Sequence, residues 1–548
     1  MKICLGQINP TIGDFAGNCD RICRGMEQAA SLGCDLAVFP EMALLGYPPL
    51  DFLDSNNFVL DSLGYWDRLL QASKDIAVIC GVVVPNRSRT GKPFFNVALF
   101  CAQGQILAQA SKILLPSYDV FDETRYFEPG DKPQVAEFKG LRLGITVCED
   151  IWNKEGYLPG GLYDRDPVQE LAGRQIDLLI NIAASPFHRG KSKEVSRLLL
   201  ERAREVQAPV CYVNQVGGND QLIFQGHSMV WDPSGRQLAC AADFEEQLLV
   251  WDSEKEQQEA PLGMQGREQE ILQALCLGLK DYMSKCGFQQ AVLGLSGGVD
   301  SALAACVARM ALGQANVWAL ALPGPYNAPQ SLEDARELSS RLGIRLDTVM
   351  IEGLFNQARQ ELRPIFQDRP QDVAEENIQS RLRGLLLMAV SNKFGALLLN
   401  TGNKSELAVG YCTLYGDMNG GISVLGDVPK TMVYQLARHI NQVQGWIPER
   451  IITRPPSAEL SPDQKDQDSL PDYETLDSIL QAYIEEQQSP QQIALQGWDQ
   501  QLVNWVARRV LMNEYKRRQA PPVLKVTGKA FGLGRRLPIA HGFGGLRS

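Results

Sequence analysis

The sequence predicts an α/β chain in two parts, and three observations carry that expectation. From Met1 to about Trp251, short apolar runs ending in small or polar residues alternate with helical patterns. A charged, Gln-rich stretch, residues 252–267, then interrupts the pattern. After it, helix-then-strand units resume, the order of a parallel sheet covered by helices on both faces.

In the first part KICLGQIN, DLAVFPE, IAVICGVVV, LRLGITVCED, DLLINIAASPF and APVCYVNQV fit strands buried on both faces. Between Cys19 and Gly33 apolar residues recur at helical spacing, with Gly33 as the stop. FFNVALFCAQGQILAQASK around Gly104 and HSMVWDPSGRQLACA around its DPSG turn read as hairpins, so strands run in more than one direction. Pro261, Gly263 and Gly266 punctuate the stretch 252–267, which is assigned as a linker between domains 1–251 and 268–548. The plainer alternative is a long loop inside one domain. Beyond it come QAVLGLSGGVDS, the helix ALAACVARMAL, the strand VWALALP, the helix SLEDARELSSRLG and the strand RLDTVMIE. Residues 455–473, PPSAELSPDQKDQDSLPDY, read by composition as a solvated loop. Their sharper reading is a flap that orders over a substrate.

Composition excludes several classes. Of 548 residues, 53 are Lys or Arg and 64 Asp or Glu, and the net charge of −11 argues against nonspecific nucleic-acid binding. The run LLLMAV at 385–390 is far short of the ~20 residues a membrane helix needs. No cationic leader precedes an apolar stretch, because MKICLGQIN alternates as a strand does. Thirteen cysteines without a CxxC read as reduced thiols in a cytoplasmic protein, and with four histidines a structural zinc site is not expected.

The most specific local signal is SGGVDS at 296–301, between the strand AVLGL and a helix. Gly297 and Gly298 let the backbone approach an anion, and the helix start presents unpaired N–H groups and the positive end of its dipole. Ser296 and Ser301 add hydroxyl donors. Asp300 facing phosphate calls for a metal ion bridging carboxylate and phosphate. The loop lacks the GK[ST] ending of γ-phosphate transferases and is not a GxGxxG. In this setting it resembles the pyrophosphate loop of the ATP pyrophosphatase superfamily, whose members activate a carboxylate or carbonyl oxygen by adenylylation. That resemblance implies an adenine nucleotide α-hydrolase type of sheet, with ATP held by Gly294, Leu295, Ser296, Gly297, Gly298, Val299, Asp300 and Ser301.

Further motifs are similar to those of the NAD synthetase family. GALLLNTGNKSELAVGY places Thr401 and Glu406 just past a strand end, and ENIQSRLRGLLLMAV is a helix carrying Asn377, Arg381 and Arg383. The resemblance implies Thr401 for ATP, Asn377 for deamido-NAD, and Glu406 for substrate and magnesium, with Lys430 in GDVPKT near the reaction centre. Between Arg508 and Arg536 there are nine Lys or Arg and one acid, Glu514. A solvated basic face and an extended tail reaching the phosphates of a dinucleotide are both open readings of that pattern. Lys516 in NEYKRRQ matches a family position for deamido-NAD.

In the first domain Glu41, Lys112 and Cys148 each sit just past a strand end. Alone, a cysteine there is more often a small buried hydrophobe. Together the three supply a thiol, a base for its proton, and an ammonium to hold the base and steady an oxyanion. The phrases FPEMALLGYPP, SKILLPSYDVFDETRYFEPG and GITVCEDIW resemble the Glu–Lys–Cys motifs of the nitrilase superfamily, which implies an αββα sandwich. By that resemblance Cys148 attacks a carboxamide, Glu41 shuttles the proton and Lys112 stabilises, while Tyr118, Ser185 and Lys191 hold glutamine. Glu149 is expected to face away from Cys148 along an extended segment, and His188 is read as structural.

A nitrilase-like half followed by a pyrophosphate-loop half resembles the glutamine-dependent NAD synthetase family over essentially the whole chain. That implies an enzyme taking glutamine, ATP and deamido-NAD, a homo-oligomer, and a protected passage for ammonia. Two alternatives stand beside it: an amidotransferase acting on another nucleotide or a tRNA base, and a nucleotide-binding regulator with decayed catalysis.

Overall fold

A computed structural model of the chain describes residues 1–88, 90–158, 162–255, 266–367 and 369–543. They fall into two units, Met1–Gln265 and Gly266–Ser548. Of the expected linker, residues 256–265 lie outside the described ones; Asp252 ends the last strand of the first unit and Arg267 begins a helix of the second.

Fourteen strands are described in the first unit: β1 (Lys2–Gln7), β2 (Leu36–Val38), β3 (Ala77–Pro85), β4 (Phe94–Ala102), β5 (Gln105–Ser111), β6 (Gln134–Phe138), β7 (Leu141–Val147), β8 (Leu178–Ala183), β9 (Val210–Asn214), β10 (Val216–Asn219), β11 (Leu222–Gln225), β12 (Met229–Trp231), β13 (Gln237–Cys240) and β14 (Gln247–Asp252). Twelve form two six-stranded sheets, ordered β14-β1-β2-β3-β4-β5 and β13-β12-β9-β8-β7-β6, and β10 pairs with β11. Central pairs such as β1–β2, β2–β3, β7–β8 and β8–β9 are parallel, while the two predicted hairpins, β4–β5 and β12–β13, are antiparallel. One apolar core joins the sheets, with Ile3, Val38, Ile79 and Phe100 from the first and Ile145, Val147, Ile180 and Val213 from the second. Helices Phe15–Ser31 and Lys191–Val206 pack on β1–β2 and on β9. With both faces covered, β8 is buried along its whole length, which is why LLINIA shows no alternation.

The second unit is built on five parallel strands: β15 (Ala291–Gly294), β16 (Val317–Ala321), β17 (Arg345–Thr348), β18 (Leu397–Asn400) and β19 (Ile422–Ser423). Their order is β17-β16-β15-β18-β19. The chain leaves β15 to build outward on one side and later returns to build on the other. The loop after β15 therefore opens at the point where the strand order reverses, the place where open α/β sheets gather ligands. The expected strand RLDTVMIE stops at Thr348, at the sheet edge, with Val349 and Met350 exposed. No described helix is long and apolar enough to cross a membrane.

Candidate active sites

In the first unit Glu41 follows β2, Lys112 follows β5 and Cys148 follows β7. Lys112 Nζ lies 2.8 Å from Glu41 Oε1 and 2.8 Å from Glu123 Oε1, with all three side chains buried. Asn96 Nδ2 donates to Glu41 Oε1 at 2.6 Å, and the Ala184 N–H to Glu41 Oε2 at 2.9 Å. The Glu41 carboxylate is thus held from three directions. Burial favours loss of the Lys112 proton, but the Glu123 and Glu41 carboxylates outweigh it and keep the ammonium charged. Burial lifts Glu123 to about 7, against the pull of Lys112 and with Glu41 adding to it.

Cys148 opens a 3₁₀ turn, Cys148–Ile151, with φ 44°. That left-handed backbone is one a non-glycine residue holds only where its surroundings impose it. Asp150 imposes it here: its carboxylate accepts from Val147 N at 3.0 Å and from Ile113 N and Leu114 N at 2.9 Å each. The turn is thereby tied to the residues that follow Lys112. Burial and the Glu41 carboxylate push the Cys148 thiol well above its ordinary value, while Lys112 pulls it down. The resting group is thus a protonated thiol with the Glu41 carboxylate nearby.

The expectation for Glu149 is corrected in its geometry. The segment turns instead of extending, and Glu149 is buried, accepting from Tyr118 OH at 2.9 Å and Tyr163 OH at 3.0 Å. Ser185 follows Ala184, which holds Glu41, and Lys191 Nζ stands 3.7 Å from the centre of the Trp152 ring just beyond the turn. The predicted glutamine residues Tyr118, Ser185 and Lys191 thus gather around one centre. His188 lies 3.4 Å from Glu194.

The second unit holds a cavity of about 750 Å³. It is lined by Gly294, Leu295, Ser296, Gly298, Val299, Asp300 and Ser301, together with Thr401, Asn377, Glu406, Lys430 and Lys516. Every site residue expected in this half except Gly297 faces it. Gly297 has φ 81°, and a Cβ there would lie 2.2 Å from Ser331 O. Gly298 precedes the helix Val299–Leu312 without a side chain to cap it, leaving the first N–H groups toward the cavity loop. Lys430 Nζ sits 2.6 Å from Asp300 Oδ2 and 3.1 Å from Glu406 Oε1, and Asn403 donates to Asp300 at 2.8 Å. Burial lifts Glu406 to about 7, against Lys430 and with Asp300 and Asp466 adding to it. Two hard carboxylates within reach of one cation beside an anion-binding loop suit Mg2+, which takes one or two carboxylates and completes its shell from phosphate and water. Among the described residues no cluster of three or more His, Cys, Asp or Glu offers a metal cage.

Residues 455–473 form an irregular, largely exposed segment that is pinned to the second unit at a few points. Arg454 donates to Gly297 O at 3.1 Å and Ser331 Oγ at 2.9 Å, and Glu459 accepts from Ser331 Oγ and Asn327 Nδ2 at 2.7 Å each. Pro455 to Leu460 line the cavity, and Asp466 is buried against Tyr473. The extended-tail reading of the basic segment needs correction. Lys516 lies on the short helix Glu514–Arg517 and donates to the Gly410 and Cys412 carbonyls at 2.7 Å. Arg517 is buried on Glu514 and the Ala408 carbonyl.

Comparison with known proteins follows the same division. Residues 2–259 match the carbon-nitrogen hydrolase family and residues 271–520 the NAD synthase family. The chain is 46% identical to the glutamine-dependent NAD(+) synthetase of Synechocystis sp., over 99% of both chains. The chain belongs to the glutamine-dependent NAD(+) synthetase family. Within that family it is 39% identical to the protein of Thermotoga maritima over 99% of each. The Acinetobacter baumannii synthetase, solved in complex with adenosine diphosphate, superposes with a TM-score of 0.78 at 39% identity and 99% coverage of both chains. A Cytophaga hutchinsonii synthetase at 20% identity shares the fold, with a TM-score of 0.84, covering 99% of this chain and 98% of its own.

For a member of this synthetase family, sequence reasoning missed four residues that the structure brings to the centres. Glu123 on Lys112, Asn96 on Glu41, and the Arg454–Glu459 pair on the glycine loop carry no local signature. The phrase holding Glu123 carries four acids, Asp119, Asp122, Glu123 and Glu128, and spacing does not choose among them.

Proposed function

We propose that the chain makes NAD from deamido-NAD, with glutamine as nitrogen source and ATP cleaved to AMP and pyrophosphate. Residues 1–251 act as the glutaminase and 268–548 as the synthetase. In the first, the Cys148 proton passes to Glu41 and the thiolate attacks the glutamine carboxamide carbon. Lys112 faces the oxyanion, Glu41 returns the proton to nitrogen, and ammonia leaves a γ-glutamyl thioester. Water deprotonated by Glu41 then releases glutamate. Tyr118, Ser185 and Lys191 hold the substrate, and Glu123 keeps Lys112 charged and fixed.

In the second, residues 294–301 and Thr401 seat ATP, while Asn377, Glu406 and Lys516 seat deamido-NAD. Mg2+ held by Asp300 and Glu406 would neutralise charge on the leaving pyrophosphate. The glycine loop's N–H groups and the helix start stabilise the same charge. The nicotinate carboxylate oxygen bonds to the α-phosphorus as pyrophosphate departs. Ammonia then displaces AMP from the acyl carbon. A protected route for ammonia, a homo-oligomeric assembly and a cytoplasmic location belong to the same reading.

What carries the reading is one chain holding both a buried Glu–Lys pair beside a cysteine and a cavity lined by the glycine loop and its expected partners. Cys148→Ala should abolish NAD formation from glutamine and leave formation from added ammonia largely intact. Asp300→Ala should lose both. Ammonia-supported synthesis by Asp300→Ala at the native rate would remove that residue from the site.

A further inference from the structure

Beneath the Cys148 turn lies a row of polar side chains that the steps above leave unused. Parallel pairing sets Thr146 opposite Asn181 and Asn181 opposite Tyr212, so the three stand side by side across β7, β8 and β9 on one face. Asn181 Nδ2 donates to Thr146 Oγ1 at 3.0 Å and reaches the carbonyl oxygen of Cys148 at 3.5 Å, which places this face under the nucleophile.

Tyr212, the third member, is 1% exposed. Its hydroxyl makes no well-formed hydrogen bond in the resting fold, although the Ser185 hydroxyl stands beside the phenol oxygen. Phenylalanine would fill the same space without burying an unused donor, so the hydroxyl is a cost to the resting fold. Such a group is explained when its acceptor arrives with the reaction. Burial, with Cys148 and Glu41 nearby, holds the phenol well above its ordinary value, so it stays protonated and remains a donor. Of the two groups near it whose charge changes in the proposed steps, Glu41 already accepts from Lys112, Asn96 and Ala184, which leaves the Cys148 sulfur as the acceptor to be met.

We propose that the Tyr212 hydroxyl donates a hydrogen bond to the Cys148 sulfur whenever that sulfur carries negative charge. Those moments are thiolate attack on glutamine and expulsion of thiolate from the thioester. Tyr212 keeps its proton throughout; the Cys148 proton travels to Glu41 and back. The proposal rests on Cys148 being the nucleophile.

The test is the pH dependence of Cys148 alkylation by iodoacetamide, followed by peptide mass spectrometry on the full chain and on Tyr212→Phe. The expected result is a midpoint moved up by about one pH unit, with kcat for glutamine hydrolysis down about tenfold and KM for glutamine unchanged. Ammonia-dependent synthesis should be unaffected and the thermal midpoint not lowered. Difluorotyrosine at position 212, a stronger donor in the same place, should move the midpoint the other way. Superimposable alkylation profiles overturn the proposal, including the case in which KM alone rises, which would assign the hydroxyl to glutamine. Glutamine hydrolysis surviving in Cys148→Ala would instead sink the nucleophile assignment beneath it.

Discussion

Replacing Gly297 with alanine asks the glycine loop to accept a methyl group where Ser331 already stands. At φ 81° an L-residue bears about 1–2 kcal/mol of backbone strain. The added Cβ would lie 2.2 Å from Ser331 O and 2.9 Å from its carbonyl carbon, both backbone atoms. Ser331 has little freedom to retreat, because its hydroxyl is bonded to Glu459 and Arg454, and Arg454 also grips Gly297 O. Overpacking of this kind costs about 1–3 kcal/mol, so the combined strain is about 2–5 kcal/mol. The loop relieves it by turning away from Ser331, and ATP binding must then restore it. The expected loss in kcat/KM for ATP in ammonia-dependent synthesis is roughly 30-fold to several thousand-fold. Steady-state kinetics with ammonia measures it, and glutaminase activity, which belongs to the other unit, should be unchanged. Native ATP kinetics in Gly297→Ala would show that the loop does not need its observed conformation.

Lys112→Met leaves Glu41 and Glu123 buried without their cation, a break worth about 3–5 kcal/mol. Glutamine hydrolysis should vanish and calorimetry should show an earlier transition, while ammonia still supports synthesis. Glu406 titrates near 7 in the fold against an ordinary 4.5, so the native state binds its proton more tightly. Its stabilising contribution is complete below about 4.5 and gone above about 7, whereas the carboxylate proposed to hold Mg2+ and substrate is lost as pH falls through 7. The kcat/KM profile for ATP should therefore carry an acid limb near 7, and a Glu406→Gln variant retaining that limb would assign it elsewhere. Asp427 is buried on Val526 N, Thr527 N and Thr527 Oγ1, and 3.0 Å from Lys404. Asp427→Ala should lower the urea midpoint of the second unit by about 3–5 kcal/mol of stability; an unchanged midpoint would deny the clamp.

Glu41 and Cys148 were legible as candidates because each follows an apolar run that reads as a buried strand, and Lys112 because it follows the second strand of the Gly104 hairpin, exposed though that strand is; strand ends collect chemistry. The glycine loop was legible for the same reason, with strand before and helix after. What spacing could not reach were contacts made by return of the chain. Arg454 meets Gly297 across 157 residues, and Glu123 finds Lys112 through a turn that no pattern marks. Asp150 reads as one more acid, yet its three N–H bonds bend the segment that composition drew as extended. Residues 455–473 are irregular and largely exposed as composition indicates, but composition counts charges and does not see the ones that are paired, and the basic segment misled for the same reason. Asp466 lies against Tyr473, and Arg517 against Glu514.

Glu41 and Lys112 ride on one sheet of the sandwich and Cys148 on the other. Asp150, bonded to Ile113 and Leu114, and Ala184, bonded to Glu41, stitch the layers together at the thiol. The distance from the Cys148 sulfur to the Glu41 carboxylate is therefore set by the slippage of one layer over its mate, as the reading on a vernier is set by two sliding scales. Glutamine turnover should register small misfits deep in the sandwich long before the protein melts.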